Sequence, residues 1–133
     1  MLVEIDIIIH ATEDMNKILN SLKRLFNIEE YKLERRDLTG HYKNPVIFLK
    51  LRLRNLETKR FISRLFKMMN EIDKDYLLMN LDEYIDRERL YIRIEKNGIC
   101  KGEVRLAVQD PIKITIYNID RKKILSYIDE KNS

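Results

Sequence analysis

Residues 2–10 alternate, with Val3, Ile5, Ile7 and Ile9 pointing one way and Glu4, Asp6 and His10 the other. That period of two predicts a half-buried strand. The stretch 46–54 repeats it: Ile47, Leu49, Leu51 and Leu53 face inward, Phe48, Lys50, Arg52 and Arg54 outward. Between these strands the apolar spacing changes to three and four. Met15, Ile18, Leu19, Leu22, Leu25 and Phe26 predict a helix over about 12–26, with Thr12 as its N-cap and Glu13 and Asp14 at the positive end of its dipole. A strand over 29–36 and a loop over 37–45 follow. A second helix over 57–73 is expected to bury Phe61, Ile62, Leu65, Phe66, Met69 and Ile72. Further strands are expected at 90–95, 103–107 and 112–117, with turns at Lys96-Asn97-Gly98 and Gln109-Asp110-Pro111, and a short helix over 121–130.

The order β-α-β-β-α-β-β-β-α implies an α+β fold in one domain spanning residues 1–133. A single mixed, largely antiparallel sheet carries the two main helices on one face, with a short C-terminal helix. The other face is then left partly open.

Composition narrows the function classes. Apolar residues make up 44% and charged residues 36% of the 133, enough to fold a core under a densely charged surface. The single Cys100 cannot form an internal disulfide, which fits a reducing cytoplasm. Glu4 and Asp6 break the N-terminal apolar run, so it reads as a strand and not a signal, and no stretch suggests a membrane span. The net charge of +4 is unevenly spread. From Lys50 to Lys67 seven basic residues stand against Glu57 alone. On the strand, Lys50, Arg52 and Arg54 repeat every 6.6–6.8 Å or so, a spacing suited to successive phosphates of an RNA strand. The competing reading is cross-strand pairing with Glu4 and Asp6. Lys59, Arg60, Arg64 and Lys67 extend the basic stretch onto a helix, where a solvated face is the plainer reading. Phe48, Tyr42 and Tyr91 offer faces for base stacking, although packing is the commoner fate of an aromatic.

Catalytic signatures are scarce. The chain has no Gly-x-Ser-x-Gly, His-Glu-x-x-His, phosphate-cradling glycine loop or Cys-x-x-Cys. His10 and His41 form the one pair suited to acid–base work, and His10, Asp14 and His41 the one plausible metal set. Each weighs less than a structural role, so neither a catalytic residue, a metal nor a cofactor is expected.

Three segments carry a family resemblance: His10-Ala11-Thr12-Glu13-Asp14, then Gly40-His41-Tyr42-x-Asn44-Pro45, then Gly102-Glu103-x-x-Leu106 with Asp110-Pro111-Ile112. Together they resemble the small archaeal family of predicted RNA-binding exosome subunits, whose fold is similar to that of the ribosomal protein that binds five-S rRNA. The chain departs from the family pattern at Lys43 and over Ile94-Glu95-Lys96-Asn97, where Lys96 is retained. The resemblance implies a non-catalytic RNA-binding protein acting in RNA processing, decay or translation, with exosome- or ribosome-associated proteins as further partners. The candidate RNA-binding residues are Lys50, Arg52, Arg54, Lys59, Arg60, Arg64, His10, His41 and Lys96. A module that docks on a larger machine without touching RNA, and a metal-free ribonuclease, are the alternatives.

Overall fold

The computed structural model describes residues 1–39 and 44–132, with side chains described through residue 128. Six strands form one sheet in the order β2-β3-β1-β6-β5-β4, and every neighbouring pair is antiparallel. β1 (Leu2–His10) pairs with β3 (Pro45–Arg54) along its whole length and with β6 (Ile112–Tyr117) on the other side. β2 (Lys32–Thr39) and the two-residue β4 (Ile85–Asp86) are the edges; β5 (Arg89–Ile94) joins β4 to β6.

The alternation in β1 and β3 is realised in register. Val3, Ile5 and Ile7 lie opposite Leu53, Leu51 and Leu49, and all six are at most 1% exposed. Leu90, Ile92, Ile112, Ile114 and Ile116 continue this apolar face. Helices cover it. α1 (Met15–Leu25) contributes Ile18 and Leu22 to the core, and α2 (Leu56–Met68) contributes Phe61, Ile62, Leu65 and Phe66. The two meet where Phe26 packs on Phe61, ring centroids 4.6 Å apart. The C-terminal helix α6 (Arg121–Asn132) adds Ile124 and Ile128 beside α2. The expected α+β architecture is therefore present, with both main helices on one face and the other face open.

Several local expectations are corrected. The first helix starts at Met15, because the Glu13 carboxylate accepts from the His10 amide and closes a turn over 10–13; Asp14, not Thr12, is the N-cap, accepting from the Lys17 amide at 3.1 Å. The second helix stops at Met68. Met69 is extended and Asn70 caps a separate α3 (Glu71–Met79), so Ile72 is not in the core but 81% exposed. A short α4 (Leu81–Tyr84) leads into β4. β2 is shifted three residues along and runs to Thr39, while Gly40, His41, Tyr42 and Lys43 lie outside the described residues. The expected 96–98 turn is a short helix, α5 (Lys96–Cys100). Residues 103–107 do not form a strand: Val104 and Leu106 make isolated bridges, to Met69 and Ile94, as the segment passes the end of β5.

Candidate nucleic-acid interface

On the open face, the outward positions of adjacent strands line up as rows. Arg54, Leu2, Tyr117 and Arg89 form the first. Lys32, Arg52, Glu4, Thr115 and Tyr91 form the second, and Glu34, Lys50, Asp6, Lys113 and Arg93 the third. A shorter row of Arg36, Phe48 and Ile8 follows. With Asp86 beside Arg89, the face holds eight basic and four acidic residues. Those residues give the face a charge of +4, equal to the net charge of the chain. Lys32, Arg36, Arg54, Arg89, Arg93 and Lys113 are exposed; Lys50 and Arg52 are half-buried.

The cross-strand pairing is present for Lys50 and Arg52. Lys50 Nζ lies 3.1 Å from Glu4 Oε2 and 3.6 Å from Asp6 Oδ1, and Arg52 reaches Glu4 at 3.3 Å and Glu34 at 3.2 Å. Cross-strand pairing thus neutralises the centre of the face, and Arg54 has no ion-pair partner among the described residues. Glu4 and Asp6 respond in opposite directions. Burial alone raises Glu4, but hydrogen bonds from Tyr117 and Lys50 and the charges of Lys50 and Arg52 outweigh it, holding the carboxyl below its usual range. Burial and the charge of Glu4 push Asp6 up against the pull of Lys50. The hydrogen bond to Glu4, with burial, pushes the Tyr117 hydroxyl up to about 12. Arg36 lies over the Phe48 ring at 5.5 Å and Arg89 over Tyr117 at 5.1 Å, so cations and aromatic faces are interleaved.

The helical basic residues lie across the sheet from this face, so the two sets do not form one patch. Arg60 pairs with Glu57 at 3.4 Å. Arg64 donates through Nε and Nη2 to the Leu25 carbonyl, at 2.9 and 2.6 Å, and so fastens α2 to the end of α1. Lys59 and Arg60 line a groove of about 630 Å³ with Lys123, between α2 and α6.

The histidine motif converges on the end of the sheet. Lys96 is buried, and its ammonium donates to the Ile8 carbonyl, to Glu13 at 3.1 Å and to Asp110 at 3.0 Å. His10 Nε2 stands 3.1 Å from Asp110 Oδ1. Hydrogen bonds from Lys96 and His10 overcome partial burial and hold the Asp110 carboxyl below its usual range. The cluster joins β1, the turn before α1, the start of α5 and the loop before β6, beside a cavity of about 570 Å³ lined also by Glu95 and Asn97. Oxygens of Glu13 and Asp110 and a ring nitrogen of His10 lie within 4.8 Å of one another, a spacing suited to a metal ion. Here the ammonium of Lys96 already sits between the two carboxylates, so a metal would have to displace it. Of the sequence-level metal set, Asp14 is the cap of α1 and His41 lies outside the described residues.

Sequence reasoning passed over Lys32, Arg36, Arg89, Arg93 and Lys113. The signal was present: the outward positions of RLYIRI and IKITIY are as regular as those of the basic strand.

The fold and this face define a small α+β protein whose open antiparallel sheet exposes cations and aromatic rings. The family model described as RNA binding matches residues 2–117, and the chain belongs to that family. The RNA-binding protein PAB1135 of Pyrococcus abyssi is 25% identical over 92% of this chain and 86% of its own length. Two crystal structures of DUF54 proteins share the fold. Protein SSO0741 of Sulfolobus solfataricus has a TM-score of 0.82 at 26% identity, covering 99% of this chain and 98% of its own. Protein AF2318 of Archaeglobus fulgidus has a TM-score of 0.73 at 30% identity, covering 98% and 97%.

Proposed function

We propose that this protein binds RNA along the open face of its sheet, without catalysing a reaction, as an accessory factor in RNA processing, decay or translation in the cytoplasm. The observation that carries the reading is the excess of basic over acidic residues on that one face, eight against four among the described residues. Phosphates are held there by Arg54, Arg93, Lys113, Arg36 and Arg89, with Lys50 and Arg52 contributing as far as Glu4, Asp6 and Glu34 release them. Phe48, Tyr91 and Tyr117 supply ring faces for unstacked bases, a pattern suited to single strands. Membership of an RNA-binding family supports the ligand class. Docking to exosome- or ribosome-associated proteins is compatible with the face, because RNA occupies one side only.

Lys96 holds the end of the sheet together and does not contact phosphate, and Arg64 acts as a fastener between helices. His10 flanks the face at the same end as Lys96. Cross-linking with single-stranded RNA containing 4-thiouridine, followed by mass spectrometry of the adducts, tests this assignment. Adducts are expected on the peptides that carry Phe48, Tyr91 and Tyr117; adducts confined to α2 and α6 would contradict it.

A further inference from the structure

α3 buries Leu77 but carries a second apolar stripe on its water side. On a regular amphipathic helix the apolar stripe faces the core and the charged residues face water. In α3 the Lys74 side chain is 2% exposed, with its ammonium 3.2 Å from Glu71, while Ile72, Met79 and Tyr76 are 81%, 84% and 53% exposed. Positions 72, 76 and 79 follow the i, i+4, i+7 spacing of a single helix face, and Lys74 and Leu77 occupy the opposite one. The stripe spans about 10 Å of helix. Three large apolar side chains in one line on the water side form a patch and not a scatter of single residues.

The surroundings of the stripe are acidic. Between residues 71 and 83 the chain carries Glu71, Asp73, Asp75, Asp82 and Glu83 against the buried Lys74 alone. Asp73 is held by the Leu106 amide, Asp82 by Arg121 and Glu71 by Lys74, which leaves Asp75 and Glu83 as exposed carboxylates without a partner among the described residues. Like charges on an RNA backbone would be repelled by them. An apolar helical stripe edged with carboxylates is instead complementary to a helix of the inverse design: leucine-like residues in one stripe, lysines and arginines beside it.

We infer that α3 is a docking surface for a basic amphipathic helix of a partner protein. Ile72, Tyr76 and Met79 are the apolar anchors, and Asp75 and Glu83 select a basic partner. None of these residues belongs to the RNA-binding rows.

The test uses the full chain and a synthetic peptide with leucines at three- and four-residue spacing and lysines elsewhere. A scrambled peptide of the same composition serves as control. In two-dimensional amide NMR, the amphipathic peptide is expected to shift resonances of residues 71–79 and to bind with micromolar affinity. Ile72→Ser with Met79→Ser should weaken it at least tenfold, while melting temperature and RNA affinity stay at parental values, because both side chains face water. A single Tyr76→Ser variant, expected to weaken binding less, gives a second reading of the same face. Equal binding by the scrambled peptide, unchanged binding by the double variant, or shifts confined to other elements would overturn the inference. So would concentration-dependent self-association of the parent that the double variant abolishes, since the stripe would then belong to a second copy of this chain.

Discussion

Two groups of cations meet at the same sheet and are treated in opposite ways. Across the open face, Arg54, Arg89, Arg93 and Lys113 stand on outward strand positions and remain exposed. At the end of the same sheet, Lys96 is enclosed by a carbonyl and two carboxylates. An ammonium whose donors are all used inside the protein has none left for a phosphate, whereas a guanidinium projecting from a strand gives up little to meet one. Basic residues in a sequence therefore do not add up to a binding surface until their internal partners are known.

The largest effect expected from breaking this contrast is on stability. Lys96→Met leaves Glu13 and Asp110 facing each other with His10 alone beside Asp110, and because both carboxylates are partly exposed it should cost about 2 kcal/mol. For a chain of this size that lowers the melting temperature by about 6 °C, measurable by circular dichroism. RNA affinity of the folded fraction should be nearly unchanged. Alanine at Arg54, Arg93 and Lys113 should do the reverse, with a melting shift of about 2 °C or less, as expected for exposed positions.

Smaller effects sharpen the same contrast within the face. Glu4 titrates below its usual range, so its charge contributes stability that is present above the unfolded pKa and lost as pH falls through the folded one. Asp6 titrates above its usual range. Its charged form is disfavoured in the fold, so its contribution improves as pH falls through the raised pKa. At pH 7, Glu4→Gln should lower the melting temperature and Asp6→Asn should leave it unchanged or raise it. Both shifts should be about 1 kcal/mol or less in thermal unfolding. Asp110 follows the Glu4 pattern, and its contribution fades in acid as Lys96 and His10 lose their acceptor.

The smallest prediction concerns the β4–β5 hairpin. Arg87 and Glu88 both take positive φ, 51° and 61°, in a two-residue loop that favours Asn-Gly. Arg87→Asn with Glu88→Gly should stabilise the protein by about 0.5–1 kcal/mol in chemical unfolding.

That hairpin also shows why the sequence was partly opaque. β1 and β3 were legible because one face is buried and the other wet, so the inward positions are apolar without exception and the charged residues take outward ones. β4 was not: two residues carry no period, and Arg-Glu is not a turn signature. The 57–73 helix was drawn too long because Met69 and Ile72 continue its apolar spacing. The break at Asn70 is a cap whose bond to Asp73 depends on local geometry. Of the candidate site, the outward basic strand was readable, and so was the option of pairing with Glu4 and Asp6. Burial of Lys96 was not, because its partners Glu13 and Asp110 lie 83 and 14 residues away and meet it only through the fold. The separation of α2 from the open face followed from the helix layer itself, yet a run of seven cations in eighteen residues suggests one patch until the sheet is placed between them.

The central claim is that RNA lies on the open face and not on the basic helix α2. Its most direct test is the salt dependence of single-stranded RNA affinity, measured by fluorescence anisotropy, for two triple variants beside the parent. Alanine at Arg54, Arg93 and Lys113 removes three cations from the face; alanine at Lys59, Arg60 and Lys67 removes three from α2. Each lost phosphate contact reduces the slope of log affinity against log salt by about 0.7, so the face variant should lose about 2 units of slope. The α2 variant should retain the parental slope. A parental slope in the face variant, with the loss appearing in the α2 variant, would contradict the account.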